Sequence, residues 1–339
     1  VSLNLNTILA LDMGRGYTKA LTSTGGRALF SSTIAPAESG RYESGLGSDD
    51  LIEVDVDGVS YWVGRKAEVH STTTMQTLDS ARNGSLEEKV LFYAAASQAI
   101  KTTEADVAIV TGLPLTDYTK ENRARLRALL VGAHDIKAKG KPRRKFAVGK
   151  VLIVPQGVGA LYALVLDRNG EVTDPTLADA RVGLIDVGRY TVNFALFDSL
   201  QYVEASSDTI PHGMHEVLTR VAKDLKTQYG LDWTDRLTEV DRAVRARSVT
   251  VKGVVYGISD IVDAHVVPLA DSIVSHARGL SLWRAGGAEL RSVVVAGGGS
   301  GELMPYVVKA FSHARVAEGD PQLANVTGYL RVGLLRFRR

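Results

Sequence analysis

Two stretches of the chain carry the same arrangement, and that repetition constrains the fold more than any other feature. Residues 8–21 read ILALDMGRGYTKAL and residues 182–196 read VGLIDVGRYTVNFAL. Each is an apolar run that ends in an Asp, followed by a glycine turn with an Arg and a Thr, then a second strand. Glycines let a backbone turn tightly and approach a ligand closely. Successive N–H groups in such a turn form a concave nest that attracts phosphate oxygens. Read singly, either stretch is an ordinary D-x-G hairpin turn. Read together, they imply two related halves that face each other across one phosphate chain.

The residue types fit that chemistry. In the first turn, Gly14, Arg15, Gly16, Tyr17, Thr18 and Lys19 are the candidate phosphate contacts, with Thr18 adding a hydroxyl donor and Lys19 a neutralising charge. In the second, Gly188, Arg189 and Thr191 take those places. Asp12 and Asp186 stand where the apolar strands end, and paired carboxylates suit a hydrated Mg2+, which keeps several waters and takes few protein ligands. Two more segments supply what a nucleotide site needs. In 295–301 (VAGGGSG), Gly297, Gly298, Gly299 and Ser300 end a buried strand and open a helix, so a flat nucleoside could lie on backbone near a helix N-terminus. In 151–160 (VLIVPQGVGA), Gln156 falls where a strand meets a helix and could orient a water for in-line attack on a γ-phosphate. Without the hairpins it would be a surface Gln after a Pro turn. Neither a complete G-x-G-x-x-G nor a G-x-x-x-x-G-K-[ST] occurs, so the Rossmann and P-loop fingerprints are missing.

The order of elements repeats as well. After the first hairpin, 27–34 reads as a third strand and 36–82 as an insertion, in which 51–62 is a hairpin around Asp57-Gly58. Ser85 with Glu88 makes a capping box ahead of a helix through Ile100, with Leu86, Val90, Tyr93 and Ala94 on one face. A buried strand at 106–111, a helix at 122–130, a strand at 151–154 and a small-residue helix at 157–166 follow. The second half gives strands at 182–187, 191–197 and 200–206, then a helix at 213–228. A charge-rich insertion at 234–247, a helix at 259–277, a strand at 292–296, a helix at 301–312 and a last helix at 323–335 complete it. Three strands and then alternating helix and strand, performed twice, is the ribonuclease-H-like plan, an α/β fold with two domains around a central cleft. The expected domains are 1–165, with 36–82 as a small insertion subdomain and the helix 322–336 returning to it, and 166–321.

Composition excludes several alternatives. A length of 339 suits about two domains. The formal net charge of +2 gives no global attraction to nucleic acid or membrane. The chain has no Cys, which removes disulfides, thiolate metal sites and thiol nucleophiles and suits a reducing compartment. No run of ~18 apolar residues is present, so no membrane span is expected. The first residues lack a basic segment and a long apolar run, so no signal peptide is expected, and the missing initiator Met suggests a trimmed or partial start. The run 137–150 holds seven basic residues without interleaved aromatics, and reads as a solvated loop or a self-contact rather than a DNA patch. The ending 336–339 reads as a frayed basic tail, and 236–247 as a helix with a solvated charged face. His212 and His215 lie at i, i+3 with no convergent carboxylates and read as structural.

Taken in order, the motifs resemble the actin superfamily: first phosphate hairpin (12–19), first connecting helix (156–166), second phosphate hairpin (186–191), adenosine turn (297–300) and second connecting helix (325–335). Within it, TGLPL at 111–115, ANVTGY at 324–329 and VSYWVG at 59–64 resemble the ParM-like branch of plasmid-segregating bacterial actins and archaeal relatives. The resemblance implies an ATPase of the duplicated ribonuclease-H-like, actin-like fold. By it, Asp12 and Asp186 hold Mg2+ through water, Gln156 positions the attacking water, and Lys19 and both turns hold the β- and γ-phosphates. Gly297, Gly298 and Gly299, with the helix beginning at Gly213, would flank the base. It further implies cytoplasmic filaments of the protein itself, regulated by hydrolysis, with DNA reached through an adaptor protein rather than by direct sequence-specific binding. Two departures stand out. Arg15 and Arg189 occupy turn positions that are often small in the family, and no partner for adenine is recognisable, which leaves ATP versus GTP open. The competing functions are a small-molecule kinase on the same fold, which would need a further carboxylate base, and a nucleotide-gated scaffold that does not polymerise.

Overall fold

The apolar runs that end in Asp12 and Asp186 become the central strands of two separate sheets. The structure, a computed structural model, describes residues 7–38, 51–71, 73–75, 82–317 and 319–337. The chain divides into one unit of Val1–Asp174 with Leu323–Arg339 and a second of Pro175–Gln322.

In the first unit the strands are β1 (Thr7–Met13), β2 (Tyr17–Thr22), β3 (Arg27–Ser31), β4 (Ile34–Pro36), β5 (Ile52–Val56), β6 (Val59–Val63), β7 (Glu104–Leu113), β8 (Gly132–Ala138) and β9 (Arg144–Pro155). Its helices are α1 (Arg65–His70), α2 (Leu86–Ala99), α3 (Lys120–Leu130) and α4 (Val158–Val165), joined by the chain's last helix, Ala324–Phe337. The strands form one sheet in the order β3-β2-β1-β7-β9-β8-β5-β6-β4. The β1–β2 and β2–β3 pairs are antiparallel, and the β1–β7 and β7–β9 pairs are parallel. Every residue of β1 is buried, as expected of a strand covered on both faces. The small-residue reading of α4 has a geometric reason: a Cβ at Gly159 or Gly328 would run into the backbone of the facing helix, so α4 and the last helix touch at their main chains.

In the second unit α5 (Pro175–Ala178) precedes β10 (Arg181–Val187), β11 (Val192–Asp198), β12 (Gln201–Tyr202) and β13 (Asp208–Ile210). Then come α6 (Met214–Tyr229), α7 (Leu237–Ala246), β14 (Ser248–Val251), β15 (Val254–Gly257), α8 (Ser259–Gly279), α9 (Arg284–Gly287), β16 (Ser292–Ala296), α10 (Ser300–Ala310) and β17 (Ala314–Val316). The sheet order is β12-β11-β10-β16-β17, with β13 paired to β11. Antiparallel pairs join β10 to β11 and β11 to β12, and parallel pairs join β10 to β16 and β16 to β17. This matches β3-β2-β1-β7-β9 pair for pair, so the chain is a duplicated ribonuclease-H-like fold.

Several expectations need correction. The basic run 137–150 is a loop only at 139–143: β8 and β9 pair on either side of it, burying His134, Ile136, Arg144, Phe146 and Val148 on alternate positions and leaving Lys137, Lys145 and Lys150 exposed. There Lys145 lies between Glu104 and Asp135 in register, which dilutes the positive patch that the composition suggests. Leu86 does not share the buried face of Val90 and Ala94; it is exposed, while Glu87 and Glu88 are buried. The third strand of the second unit shrinks to β12, a short helical turn and β13. The helix expected at 236–247 does form, as α7, and its apolar face buries Val240, Ala243 and Val244. β17 has no counterpart in the sequence reading. The Asp57-Gly58 hairpin forms with φ of 52° and 83°, the two left-handed positions of a type I′ turn. Arg336 and Phe337 belong to the last helix, whereas Arg338, Arg339 and the chain's first six residues lie outside the described residues. Among the described residues no helix is long and apolar enough to cross a membrane.

Candidate functional site

The two hairpins repeat to the residue. On β1 and β2, Asp12 pairs in register with Lys19 and Met13 with Thr18; on β10 and β11, Asp186 pairs with Asn193 and Val187 with Val192. Gly14 and Gly188 stand at the same step. A Cβ on either would come 2.9 Å from a carbonyl across the turn, that of Tyr17 or of Thr191. Asp12 is 2% exposed and Asp186 4%. Buried carboxylates need compensation. Lys19 supplies it for Asp12, with Nζ 2.8 Å from Oδ2. At the corresponding step Asp186 faces an amide, Asn193, whose Oδ1 accepts a hydrogen bond from Thr209 Oγ1 at 2.8 Å. Asn193 is a site residue that the motif reading passed over. Its signal was present, because it follows Asp186 at the interval at which Lys19 follows Asp12.

In the first unit the candidates gather at the carboxyl edge of the parallel strands, the edge where open α/β sheets bind ligands. Leu11 aligns with Thr111 on β7, and Thr111 with Ile153 on β9, so Asp12 and Gln156 leave the same edge two strands apart, about 10 Å. Gln156 is half-buried, and its backbone N–H donates to the Leu113 carbonyl at 2.6 Å. Gly157 follows at φ 97° and caps α4. Thr18 departs from its expected role. It is wholly buried, its hydroxyl lies 2.8 Å from Ser32 Oγ, and Ser32 donates onward to the Gly14 carbonyl at 2.6 Å. Thr18 therefore shapes the turn from behind. Arg15 reaches Asp117, Nη2 to Oδ2 3.6 Å, which draws its guanidinium toward the protein. Gly16 is buried, and its carbonyl accepts the Ser32 N–H at 3.0 Å. Tyr17 is half-buried at the start of β2.

In the second unit the turn is braced by a helix. Met214 N–H donates to the Gly188 carbonyl at 3.2 Å and His215 N–H to the Arg189 carbonyl at 2.7 Å, so the first amides of α6 are used on the turn. Gly213 is buried there, and a Cβ on it would come 2.7 Å from the Arg189 carbonyl oxygen. Its place under the turn explains the glycine; it does not lie open for a base. Arg189 rests over the Tyr190 ring, and that ring lies 4.8 Å from the His215 ring. Burial, and then Arg189, push the His215 imidazole below its ordinary pKa, so it is neutral near pH 7. His212 Nδ1 is 2.6 Å from Glu216 Oε1.

The glycine turn after β16 packs on the same hairpin. Asp186 aligns with Ala296, and Gly297 has φ 88°; a Cβ there would collide with Asp186 Oδ1 and the Val187 carbonyl. Gly299 N–H is used by the Val187 carbonyl at 3.1 Å, and the Ser300 hydroxyl donates to the Gly297 carbonyl at 2.8 Å. Gly299 and Ser300 therefore build the turn, while Gly297 and Gly298 are part-exposed. Arg245, from the end of α7, donates to the Gly298 carbonyl at 3.0 Å and pairs with Asp241. Nothing in the sequence linked that charge-rich helix to the turn. Among the described residues no group of three or more His, Cys, Asp or Glu side chains could enclose a metal. The donors present are single carboxylates, one beside each turn, hard oxygen ligands that fit a magnesium ion keeping most of its waters.

These turns, in this topology, are shared with known proteins. The model of the actin-like proteins' N-terminal domain matches residues 10–159, and that of the C-terminal domain of the archaeal, MreB-like actin homologue matches residues 184–309. The chain belongs to the actin-like proteins. Its fold is similar to that of Ta0583, an archaeal actin homologue, at TM-score 0.80 and 21% identity, covering 97% of this chain and 99% of that one. The structure of that homologue in complex with ADP matches at TM-score 0.79 and 20% identity, with coverage of 97% and 99%. The subunit of a 15-stranded ParM filament from Clostridium botulinum matches at TM-score 0.77 and 22% identity, with coverage of 97% and 99%. No curated protein matches the chain.

Proposed function

We propose that this protein is an ATPase that binds Mg-ATP, assembles with copies of itself into filaments and hydrolyses the nucleotide to regulate them. Its place is the cytoplasm, where the filaments move or position DNA, most simply a plasmid, through a DNA-bound adaptor protein. The observation that carries this reading is the duplicated hairpin, with Asp12 and Asp186 at equivalent register steps beside equivalent glycines. The ADP complex of one structural relative and the filament formed by another support the nucleotide and the self-assembly.

Phosphoryl transfer needs little covalent help from a protein, so positioning and charge carry the rate. Lys19 and the amides of both turns would hold the β- and γ-phosphates. Gln156, at the strand edge shared with Asp12, would orient the attacking water. Asp12 and Asp186 would hold Mg2+ through its waters, and the ion, when bound, supplies charge neutralisation at the phosphates. Gly297 and Gly298 offer the part-exposed backbone for the base.

The test is phosphate release and light scattering from purified protein with Mg-ATP, with Mg-GTP as a parallel arm, across protein concentration. Phosphate freed to water, a steep concentration threshold in scattering and filaments by electron microscopy are expected. Nucleotide binding with flat scattering at high concentration would refute the filament reading, and absence of binding by calorimetry would refute the ATPase.

A further inference from the structure

Behind the first glycine turn lies a cluster of polar and charged residues that the proposed chemistry does not use. Arg82, Asn83, Glu87 and Glu88 are each more than nine-tenths buried. Arg82 Nε is 3.2 Å from Glu87 Oε1, and its Nη2 points at the Gly14 carbonyl, 3.5 Å away. Glu88 Oε2 accepts the Gly84 N–H at 2.7 Å, and Ser85 Oγ accepts the Glu88 N–H at 3.3 Å, which fixes the segment to the start of α2. Ion pairs buried this deeply add little stability over apolar residues of the same volume, so their presence asks for another reason.

We propose that Arg82 is a positioning residue for the first phosphate turn, setting the direction in which the turn's amide hydrogens face an anion. The argument is geometric. A trans peptide is planar, so the carbonyl of Gly14 and the N–H of Arg15 point in opposite directions. The Gly14 carbonyl receives the Ser32 hydroxyl at 2.6 Å and faces the Arg82 guanidinium, both from the protein side. Pinning that oxygen inward turns the Arg15 N–H outward, the orientation that a phosphate nest requires. A charged donor holds a carbonyl more firmly than a neutral one. Glu87 keeps the guanidinium in place, and the same buried charge lies within electrostatic reach of Asp12 and Arg15.

The proposal rests on the reading that this turn binds a nucleotide, and the experiment separates the two. Arg82→Met combined with Glu87→Gln removes the pair together, so neither partner is left behind as the unpaired half of a buried ion pair. The readouts are the melting temperature, the Kd for Mg-ADP, and amide hydrogen exchange across residues 13–19 in nucleotide-free protein. The expected result is a parent-like melt, at least tenfold weaker ADP binding and at least tenfold faster exchange in the turn. Parent-like exchange together with parent-like ADP binding would overturn the proposal. A parent that binds no ADP would sink the nucleotide reading, and turn exchange would still decide the role of Arg82. Arg82→Lys, which keeps the charge but gives up the planar fork, carries the same test if the double variant fails to fold, with about threefold changes expected and parent-like values overturning it.

Discussion

Glu88→Gln should stabilise the first unit in a pH-dependent way. Burial raises the Glu88 carboxyl from 4.5 to about 7, with Glu87 and Asp117 adding to it and Arg82 and the Gly84 N–H opposing it. Because the folded pKa lies above the unfolded one, stability from the protonated form is fully present below pH 4.5 and is lost as pH rises through 7. A shift of that size corresponds to about 3 kcal/mol above pH 7. Gln stays neutral at every pH and still offers an oxygen to the Gly84 N–H, so it should gain that amount at pH 8 and almost nothing at pH 4.5. For a unit of this size the gain is a rise of roughly 6–12 °C in melting temperature at pH 8. Scanning calorimetry of parent and variant at pH 5 and pH 8 measures it, with exchange protection across residues 86–99 identifying the transition that belongs to this unit. An equal melting difference at both pH values would refute the reasoning, because a packing change carries no such dependence.

Gln156→Ala should slow phosphate release by up to roughly a hundredfold while ADP affinity stays within a few-fold; a matching loss of binding removes Gln156 from the role of holding water. Asp186→Ala should raise the magnesium concentration needed for half-maximal turnover, and a parent-like magnesium titration removes it from the site. Gly297→Ala should cost the second unit roughly 1–3 kcal/mol, since the position sits at φ 88° against Asp186 and Val187; calorimetry showing a parent-like transition contradicts that packing.

Much of the fold was legible because duplication writes the same pattern twice. Buried strands with an Asp at one end and a glycine after it announce themselves without any partner, and β1 and β10 are of that kind. Among the strands that were missed, which include the β14–β15 hairpin, β8 and β17 are short or carry charged residues on one face, so their apolar periodicity is weak until a neighbouring strand covers the other face. The site was legible in its backbone turns and less so in its side chains. Thr18 looked like a phosphate donor because sequence cannot tell which way a hydroxyl turns; Ser32, in the link just after β3, decides it. Gly213 looked like part of a base pocket, and contact with the Arg189 carbonyl explains it instead. Arg82 and Arg245 reach their turns from segments distant in the chain, and long-range contacts of that kind leave no local mark.

The bracing of the Gly188–Arg189 turn by the first amides of α6 has a mechanical consequence. A rod of 16 residues spans about 24 Å, and this one is bolted to the turn at Gly188 and Arg189 through Met214 and His215. A tilt of a few degrees at the bolted end becomes a displacement of an ångström or more at Tyr229, where that ring meets Tyr256 of the β14–β15 hairpin. Val254, Val255 and Tyr256 there are exposed. A tilt of the turn therefore reaches the outer hairpin through α6 and the Tyr229–Tyr256 contact.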